Sequence, residues 1–144
     1  MRILGIDPGA TVGWCLYDTV KKIAVCSGEV VCSSEFKAIH APVNFEGVIA
    51  SDFIAIERPR GQGPTRPQVV ECGIVYGVLL ASLIYNFSQP ISKIKSIYRE
   101  DVRRVLTEHM YGVVRVRNDA SAWAALVALH GQGSDKQPKV SNGK

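Results

Sequence analysis

The sequence contains few of the features that mark zinc-binding proteins. It has four cysteines, at Cys15, Cys26, Cys32 and Cys72. None of them forms a Cys-x-x-Cys pair, and no histidine stands at ligand spacing beside them, so a structural zinc site is not expected. We interpret the cysteines as reduced, mostly buried, small apolar residues. The three histidines are isolated in the sequence and are interpreted as surface or capping residues.

Signals for export or membrane insertion are also missing. The N-terminus does not resemble a signal peptide, because an acid stands at position 7 and a Pro-Gly turn follows it. No uncharged apolar run reaches the ~18 residues that are needed to span a membrane. These absences predict a cytoplasmic protein.

The composition is that of an ordinary globular chain with a basic surface. The 144 residues are 47% hydrophobic and 21% charged, which is enough apolar material for one domain with a core of its own. The net charge of +4 favours a polyanionic partner such as nucleic acid. Because many small basic proteins bind no nucleic acid, the charge alone leaves both interpretations open.

Apolar runs and turn residues predict a mixed α/β fold. Three strands, at residues 2–7, 13–18 and 23–32, form an antiparallel meander with a possible bulge at Ser27-Gly28. One broken helix or two short ones follow, because Pro42 interrupts the segment 33–52. A fourth strand, at residues 52–57, comes after this helical crossover and is therefore expected to be parallel to the first.

The second half of the chain alternates helices with a fifth strand. A helix over residues 66–86 opens with a capping-box pattern and places Gly73 and Gly77 on one face, where close packing is expected. A strand over 91–97, a helix over 99–110 and an alanine-rich helix over 119–130 follow. We predict a five-stranded mixed sheet flanked by helices, in one domain over residues 1–131, with a flexible polar tail at 132–144.

Three acids stand at the edges of apolar elements. Asp7 ends the first strand, Glu57 ends the fourth, and Asp119 opens the last helix. If the two strands are parallel neighbours, their carboxylates emerge at one edge of the sheet and need a countercharge, for which Mg²⁺ or Mn²⁺ is suited. The competing interpretations are a turn residue, a solvated strand end and a helix N-cap.

Four motifs resemble the RuvC-type Holliday junction resolvases of the ribonuclease H-like nuclease superfamily. They are ILGIDPGATVGW (3–14), IAIE (54–57), YREDVRRVLT (98–107) and NDASAWAAL (118–126). Their order covers residues 1–131. The resemblance implies a ribonuclease H-like fold and a homodimeric, Mg²⁺-dependent endodeoxyribonuclease of crossover-junction type, in a bacterial or phage-infected cell. It also implies that the long central helix contributes to the dimer interface.

The same resemblance implies that Asp7, Glu57 and Asp119 are catalytic metal ligands, with Mn²⁺ able to replace Mg²⁺. One difference from the family stands out. The family usually has two acidic or histidine ligands three residues apart at the start of the last helix. Here the positions three residues before and after Asp119 are Val116 and Ala122, so one ligand is missing.

Basic and polar residues close to the acids in sequence are the candidate DNA contacts. These are Arg58, Arg60, Gln62, Thr65, Arg66, Arg115 and Arg117. They suit a DNA backbone, since arginine and the start of a helix both favour phosphate. The competing interpretation is ordinary solvated charge, which we favour for four other basic residues, Lys93, Lys95, Arg103 and Arg104.

Two other functions remain open from the sequence. The missing fourth ligand is compatible with a junction-binding module of the same fold that has weak or no catalysis. A nucleotide-binding protein of the actin and sugar-kinase class also has an acid at the first turn. Such proteins need two domains of this kind, and the chain has room for one.

Overall fold

The computed structural model describes residues 1–21, 23–32, 35–45, 47–58 and 67–98. The predicted helices at 99–110 and 119–130 and the predicted tail at 132–144 lie outside these residues. The domain boundary at 131 therefore stays a prediction.

A single five-stranded mixed sheet forms the centre of the described fold. Its strands are β1 (Arg2–Asp7), β2 (Thr11–Asp18), β3 (Ile23–Val31), β4 (Phe53–Arg58) and β5 (Ile94–Tyr98). The strand order is β3-β2-β1-β4-β5. β2 is antiparallel to both β1 and β3, whereas β4 is parallel to both β1 and β5. The predicted sheet, with its parallel pairing of first and fourth strands, is confirmed.

Two α-helices and two short 3₁₀ helices lie between the strands in the described part of the chain. They are α1 (Glu35–His40), a 3₁₀ helix (Ala41–Asn44), α2 (Pro67–Tyr85) and a second 3₁₀ helix (Ile91–Lys93). The predicted interruption at Pro42 is confirmed, since this proline lies in the first turn of the 3₁₀ helix that follows α1. None of the helices in the described part of the chain is both long and apolar enough to cross a membrane.

Two strand starts differ from the prediction by more than one residue, and every other strand boundary agrees to within one residue. β2 begins at Thr11 rather than at residue 13, because the pairing with β3 extends to the pair Thr11 and Val31. β5 begins at Ile94 rather than at residue 91. The three residues before Ile94 instead form a 3₁₀ turn after Pro90, and the Ile94 N–H bonds to the carbonyl of Ile91.

The predicted bulge at Ser27-Gly28 was placed wrongly. Leu16 pairs with Cys26 and Tyr17 pairs with Ala24, so the extra residue on β3 is Val25. Gly28 is paired regularly and has a packing role instead. A Cβ atom at Gly28 would lie 2.9 Å from Nε1 of Trp14, so the missing side chain makes room for the indole ring.

The main core lies between one face of the sheet and the helices. Its central members are Leu4, Ile6, Ile54, Ile56, Val75, Leu79 and Leu83. On α2 the inward positions are thus 75, 79 and 83. Of the residues that recur at helical spacing in the sequence, Val70, Ile74, Gly77 and Ala81 lie on the exposed side, whereas Val78 packs against the core. No described atom comes within 4 Å of a Cβ at Gly77, so the close packing expected there has no partner among the described residues.

Lys93 is not the solvated lysine that the sequence suggested. Its Nζ atom donates hydrogen bonds to the carbonyls of Val48 and Ile49 at 2.9 and 3.2 Å and to Oε1 of Gln89 at 2.6 Å. Burial lowers the pKa of this ammonium group, and the nearby Asp52 opposes that shift. The hydrogen bonds of Lys93 therefore connect the segment before β4 to the segment before β5.

Asp18 organises the turn between β2 and β3, and its charge should matter for stability. Its Oδ1 atom accepts hydrogen bonds from the N–H groups of Val20 and Lys21 at 2.9 and 3.0 Å. The bond from Lys21 is the main cause that lowers the pKa of the Asp18 carboxyl. A group with a lowered folded-state pKa stabilises the fold above its unfolded pKa of about 3.9 and loses that effect as the pH falls through the folded value.

We therefore expect D18N to be less stable than the wild type at pH 7. The difference should shrink below about pH 4, where the wild-type carboxyl takes up a proton. Urea unfolding at several pH values measures this. A gap between the two proteins that is the same at pH 3 and pH 7 would contradict the role of the charge.

Candidate metal and nucleic-acid site

Asp7 and Glu57 stand side by side at the carboxyl ends of two neighbouring parallel strands. The register pairs Gly5 with Ala55 and Ile6 with Ile56, and the two acids are the next residues along β1 and β4. Adjacent strands are roughly 4.8 Å apart, so the two carboxylates start from neighbouring backbone positions. The sequence prediction that these acids meet at one edge of the sheet is confirmed for this pair.

Both acids project from the sheet face opposite α1 and α2. Ile6 and Ile56 belong to the core against α2. Because side chains alternate along a strand, the residues that follow them point to the other face. On the β2 side of Asp7 the paired residue is Gly13, and beyond it on β3 is Glu29. On the far side of Glu57 the paired residue is Ile97.

Burial makes this pair of acids costly without a positive charge. Asp7 is 9% exposed and Glu57 is 4% exposed. The Oδ1 atom of Asp7 is buried and accepts no hydrogen bond from the described residues, although Asp7 has other interactions. Ionised carboxylates lose hydration free energy on burial, and two of them on adjacent strands also repel. A divalent cation with a preference for carboxylate oxygen would offset both costs, so the donor set fits Mg²⁺ or Mn²⁺.

The described part of the chain supplies two of the three predicted metal ligands. The third, Asp119, lies outside the described residues. Within them, no group of three or more histidine, cysteine or acidic side chains is placed to hold a metal ion. The candidate DNA contacts Arg60, Gln62, Thr65, Arg66, Arg115 and Arg117 also lie outside the described residues, and their roles stay predictions.

The turn after Asp7 is fixed from two sides. The N–H of Cys32, just after β3, donates a hydrogen bond to the carbonyl of Ala10 at 2.7 Å. A Cβ atom at Gly9 would lie 3.8 Å from the sulfur of Cys72 on α2. This turn is therefore held between the end of β3 and the first part of α2, which orients the end of β1 and with it Asp7.

The thiol of Cys15 is not expected to act as a nucleophile at this end of the sheet. Cys15 is fully buried on the same face as the acids, in the row that also contains Gly5 and Ala55. Burial raises the pKa of its thiol to about 12, so the group stays protonated and is a poor nucleophile at neutral pH. None of the four cysteines forms a disulfide bond, and two of them are buried and two partly buried.

Arg58 is the one predicted DNA contact that the structure describes. It follows Glu57 on β4, pairs with Tyr98 on β5 and points to the face that carries α2. Its guanidinium carbon lies 5.8 Å from the ring centre of Tyr98 and 6.0 Å from that of Tyr76. The side chain is exposed at the same end of the sheet as the two acids.

Solved structures of RuvC have a similar backbone. T. thermophilus RuvC in complex with a Holliday junction substrate superposes with a TM-score of 0.67 at 14% identity, over 95% of this chain and 96% of that one. The chain has the fold of RuvC. A second Thermus thermophilus RuvC structure matches with a TM-score of 0.67 at 15% identity, over 96% and 97% of the two chains.

A viral protein has a similar fold. The Fowlpox virus resolvase in complex with substrate Holliday junction DNA matches with a TM-score of 0.52 at 14% identity, over 93% of this chain and 98% of that one. No family model matches the sequence, and no curated protein matches it. The similarity to RuvC is therefore found in the backbone structure, and it agrees with the resemblance of the motifs.

Sequence reasoning missed two aromatic residues at this site. Neither Tyr76 nor Tyr98 was a candidate, because Tyr76 is an isolated tyrosine in an apolar segment and Tyr98 entered only as the first residue of the motif YREDVRRVLT. Their relation to Arg58 depends on the register of β5 and on the rotation of α2. The one available signal was Tyr98 at the end of a strand that neighbours β4.

Proposed function

We propose that this chain is a metal-dependent endonuclease that resolves Holliday junctions or other branched DNA by phosphodiester hydrolysis. The observation that carries this proposal is the placement of Asp7 and Glu57. They are buried acids on adjacent parallel strands, on one face and at one end of a sheet with the RuvC fold. The basic net charge and the exposed Arg58 beside the acids support a nucleic acid as the substrate.

The roles of the residues follow from their chemistry. Asp7 and Glu57 would hold Mg²⁺, and Asp119 is proposed as a third ligand. When bound, such a cation lowers the pKa of water and stabilises charge on the phosphate and the leaving oxygen. The rigid sheet keeps the two carboxylates at a fixed separation, and their burial keeps bulk water away from them. Arg58 would contact the DNA backbone at the same end of the sheet.

The test is cleavage of a labelled four-way junction by the purified protein. We expect nicked products with Mg²⁺ or Mn²⁺, none after removal of metal with EDTA, and little cleavage of a linear duplex of the same sequence. Cleavage that persists in EDTA would contradict the role of the metal. Equal cleavage of duplex and junction would contradict the selectivity for branched DNA.

A junction-binding module with weak or no catalysis is the second candidate. The residues that favour it are Val116 and Ala122, where the resemblance leads one to expect a further metal ligand. The same assay separates the two functions. Tight binding of the junction without product over a wide range of Mg²⁺ and Mn²⁺ concentrations would establish the binding module.

The exposed face of α2 supports a homodimer. It carries an uncharged stripe at helical spacing, formed by Val70, Ile74, Gly77, Ala81 and Tyr85. Val70, Ile74 and Tyr85 are 46%, 48% and 82% exposed, so the stripe is a continuous apolar surface of the kind that marks an interaction site. The missing side chain at Gly77 would allow a second copy of the same helix to approach closely. We propose that two copies of the chain pack through this stripe.

The dimer predicts a clear effect of a charge on this stripe. I74E is expected to convert the protein from dimer to monomer, because it would place two carboxylates in an apolar interface. I49E serves as a control, since Ile49 is 80% exposed in the segment before β4. Sedimentation equilibrium measures both. A wild type that stays monomeric at high concentration, or an I74E protein that remains dimeric, would contradict the proposal.

A further inference from the structure

We propose that Arg58, Tyr76 and Tyr98 form a preorganised phosphate-binding site for the DNA strand at the end of the sheet beside the acids. Arg58 makes the contact, and the two tyrosines are positioning residues that hold its guanidinium group in place. This inference rests on the proposed function, since it names how the same site holds its substrate. It adds two positioning residues, Tyr76 and Tyr98, to the predicted contact Arg58.

The arginine is placed by three separate elements. Arg58 lies at the last position of β4, Tyr98 is its paired neighbour at the last position of β5, and Tyr76 comes from α2. Both rings lie within the distance of about 6 Å at which a cation is attracted to an aromatic face. The hydroxyl groups of Tyr76 and Ser96 are hydrogen-bonded to each other at 2.5 Å, which ties α2 to β5 on this face.

The charge of Arg58 is available to a ligand. Among the described residues, no carboxylate forms an ion pair with it, and its side chain is exposed. Stacking on aromatic rings leaves the N–H groups at the edge of the guanidinium plane directed outward, and this edge matches two oxygens of a phosphate. Two rings that restrict the side chain also reduce the conformational entropy that is lost when a phosphate binds.

The position of Arg58 identifies which anion it meets. It directly follows Glu57 on β4, so its backbone is one residue from the proposed metal site, although the two side chains leave opposite faces of the sheet. A DNA strand with one phosphate at the acids and a neighbouring phosphate across the end of the sheet would contact both. A free anion would gain nothing from this proximity, so the site is assigned to a strand that also reaches the acids.

The experiment compares binding of a labelled four-way junction by variants, in EDTA so that no cleavage occurs. Affinities are measured between 50 and 200 mM salt. R58Q removes the charge, Y76L and Y98L remove one ring each, and Y76F and Y98F keep the ring. S96A removes the hydroxyl partner of Tyr76 without touching a ring. K21Q is the charge control, because Lys21 is exposed in the β2–β3 turn at the opposite end of the sheet.

We expect R58Q to weaken binding about tenfold. The plot of the logarithm of the association constant against the logarithm of the salt concentration should become less steep by about 0.9, which corresponds to the loss of one phosphate contact. Y76L and Y98L should weaken binding about threefold, as expected for an exposed cation–π contact of ~0.5–1 kcal/mol. The phenylalanine variants, S96A and K21Q should bind like the wild type. Thermal melting of each variant verifies that it is folded.

The possible outcomes distinguish the phosphate-binding site at Arg58 from the proposed function of the chain. A wild type that fails to bind the junction overturns both. Wild-type binding together with an unchanged slope for R58Q overturns the phosphate contact alone. A reduced slope for R58Q with unchanged affinity for folded Y76L and Y98L overturns the positioning role of the tyrosines.

Discussion

Replacing Asp7 by asparagine is expected to reduce junction cleavage by roughly 1,000-fold or more. The substitution keeps the shape of the side chain and removes the negative charge that would hold the cation. Charge stabilisation by a catalytic metal is worth several kcal/mol, and each 1.36 kcal/mol is a factor of ten in rate. Binding of the junction should be retained, because Arg58 and the other basic residues are unchanged. Single-turnover cleavage and binding in EDTA measure the two effects separately.

The neighbouring acids provide a partner and a control for this variant. E57Q should lose activity to a similar extent, since Glu57 stands beside Asp7 on β4. E29Q should remain active, because Glu29 is exposed on β3 and is separated from Asp7 by the strand that carries Gly13. A D7N protein that cleaves at the wild-type rate would show that Asp7 is only a turn residue. An equal loss in E29Q would show a general effect of negative charge.

The second large effect concerns the attachment of α2 to the sheet. L79A is expected to reduce the free energy of unfolding by about 3 kcal/mol, which lowers Tm by roughly 6–12 °C. Leu79 is 0% exposed and packs in the core with Ile54 and Ile56 of β4. Removing its three outer carbon atoms would leave a cavity that the rigid sheet cannot fill. Urea unfolding of the variant measures the loss.

A surface isoleucine provides the comparison for L79A. I49A should change the free energy of unfolding by less than about 0.5 kcal/mol, because Ile49 is 80% exposed. If L79A were as stable as I49A, the inward face of α2 would differ from positions 75, 79 and 83. The predicted stripe of the dimer, which depends on the same rotation of α2, would then be contradicted as well.

The strands and the two acids were predictable because their signals are local. A short apolar run that ends in an acid and a turn identifies both β1 and β4, and the crossover between them makes the pair parallel. The register that brings Asp7 beside Glu57 then follows from the position of each acid at the end of its strand. Little beyond the order of the elements was needed for this part of the site.

The rotation of α2 was not predictable from the sequence. Glu71 is the only charged residue among its nineteen, so hydrophobic periodicity cannot distinguish the inward face from the exposed face. The contacts of Arg58 with two tyrosines depend on this rotation and on the register of β5. Lys93 was mistaken for a solvated residue because its partners, carbonyls of Val48 and Ile49, are more than forty positions away.

The most direct test of the proposed metal site is a crystal structure of the protein grown with Mn²⁺ and measured for anomalous scattering. We predict a manganese ion bonded to carboxylate oxygens of both Asp7 and Glu57 at about 2.1 Å, with Asp119 as a further ligand. A manganese peak that lies away from both acids would contradict the proposal. So would an absence of any ion in crystals that contain a saturating concentration of Mn²⁺.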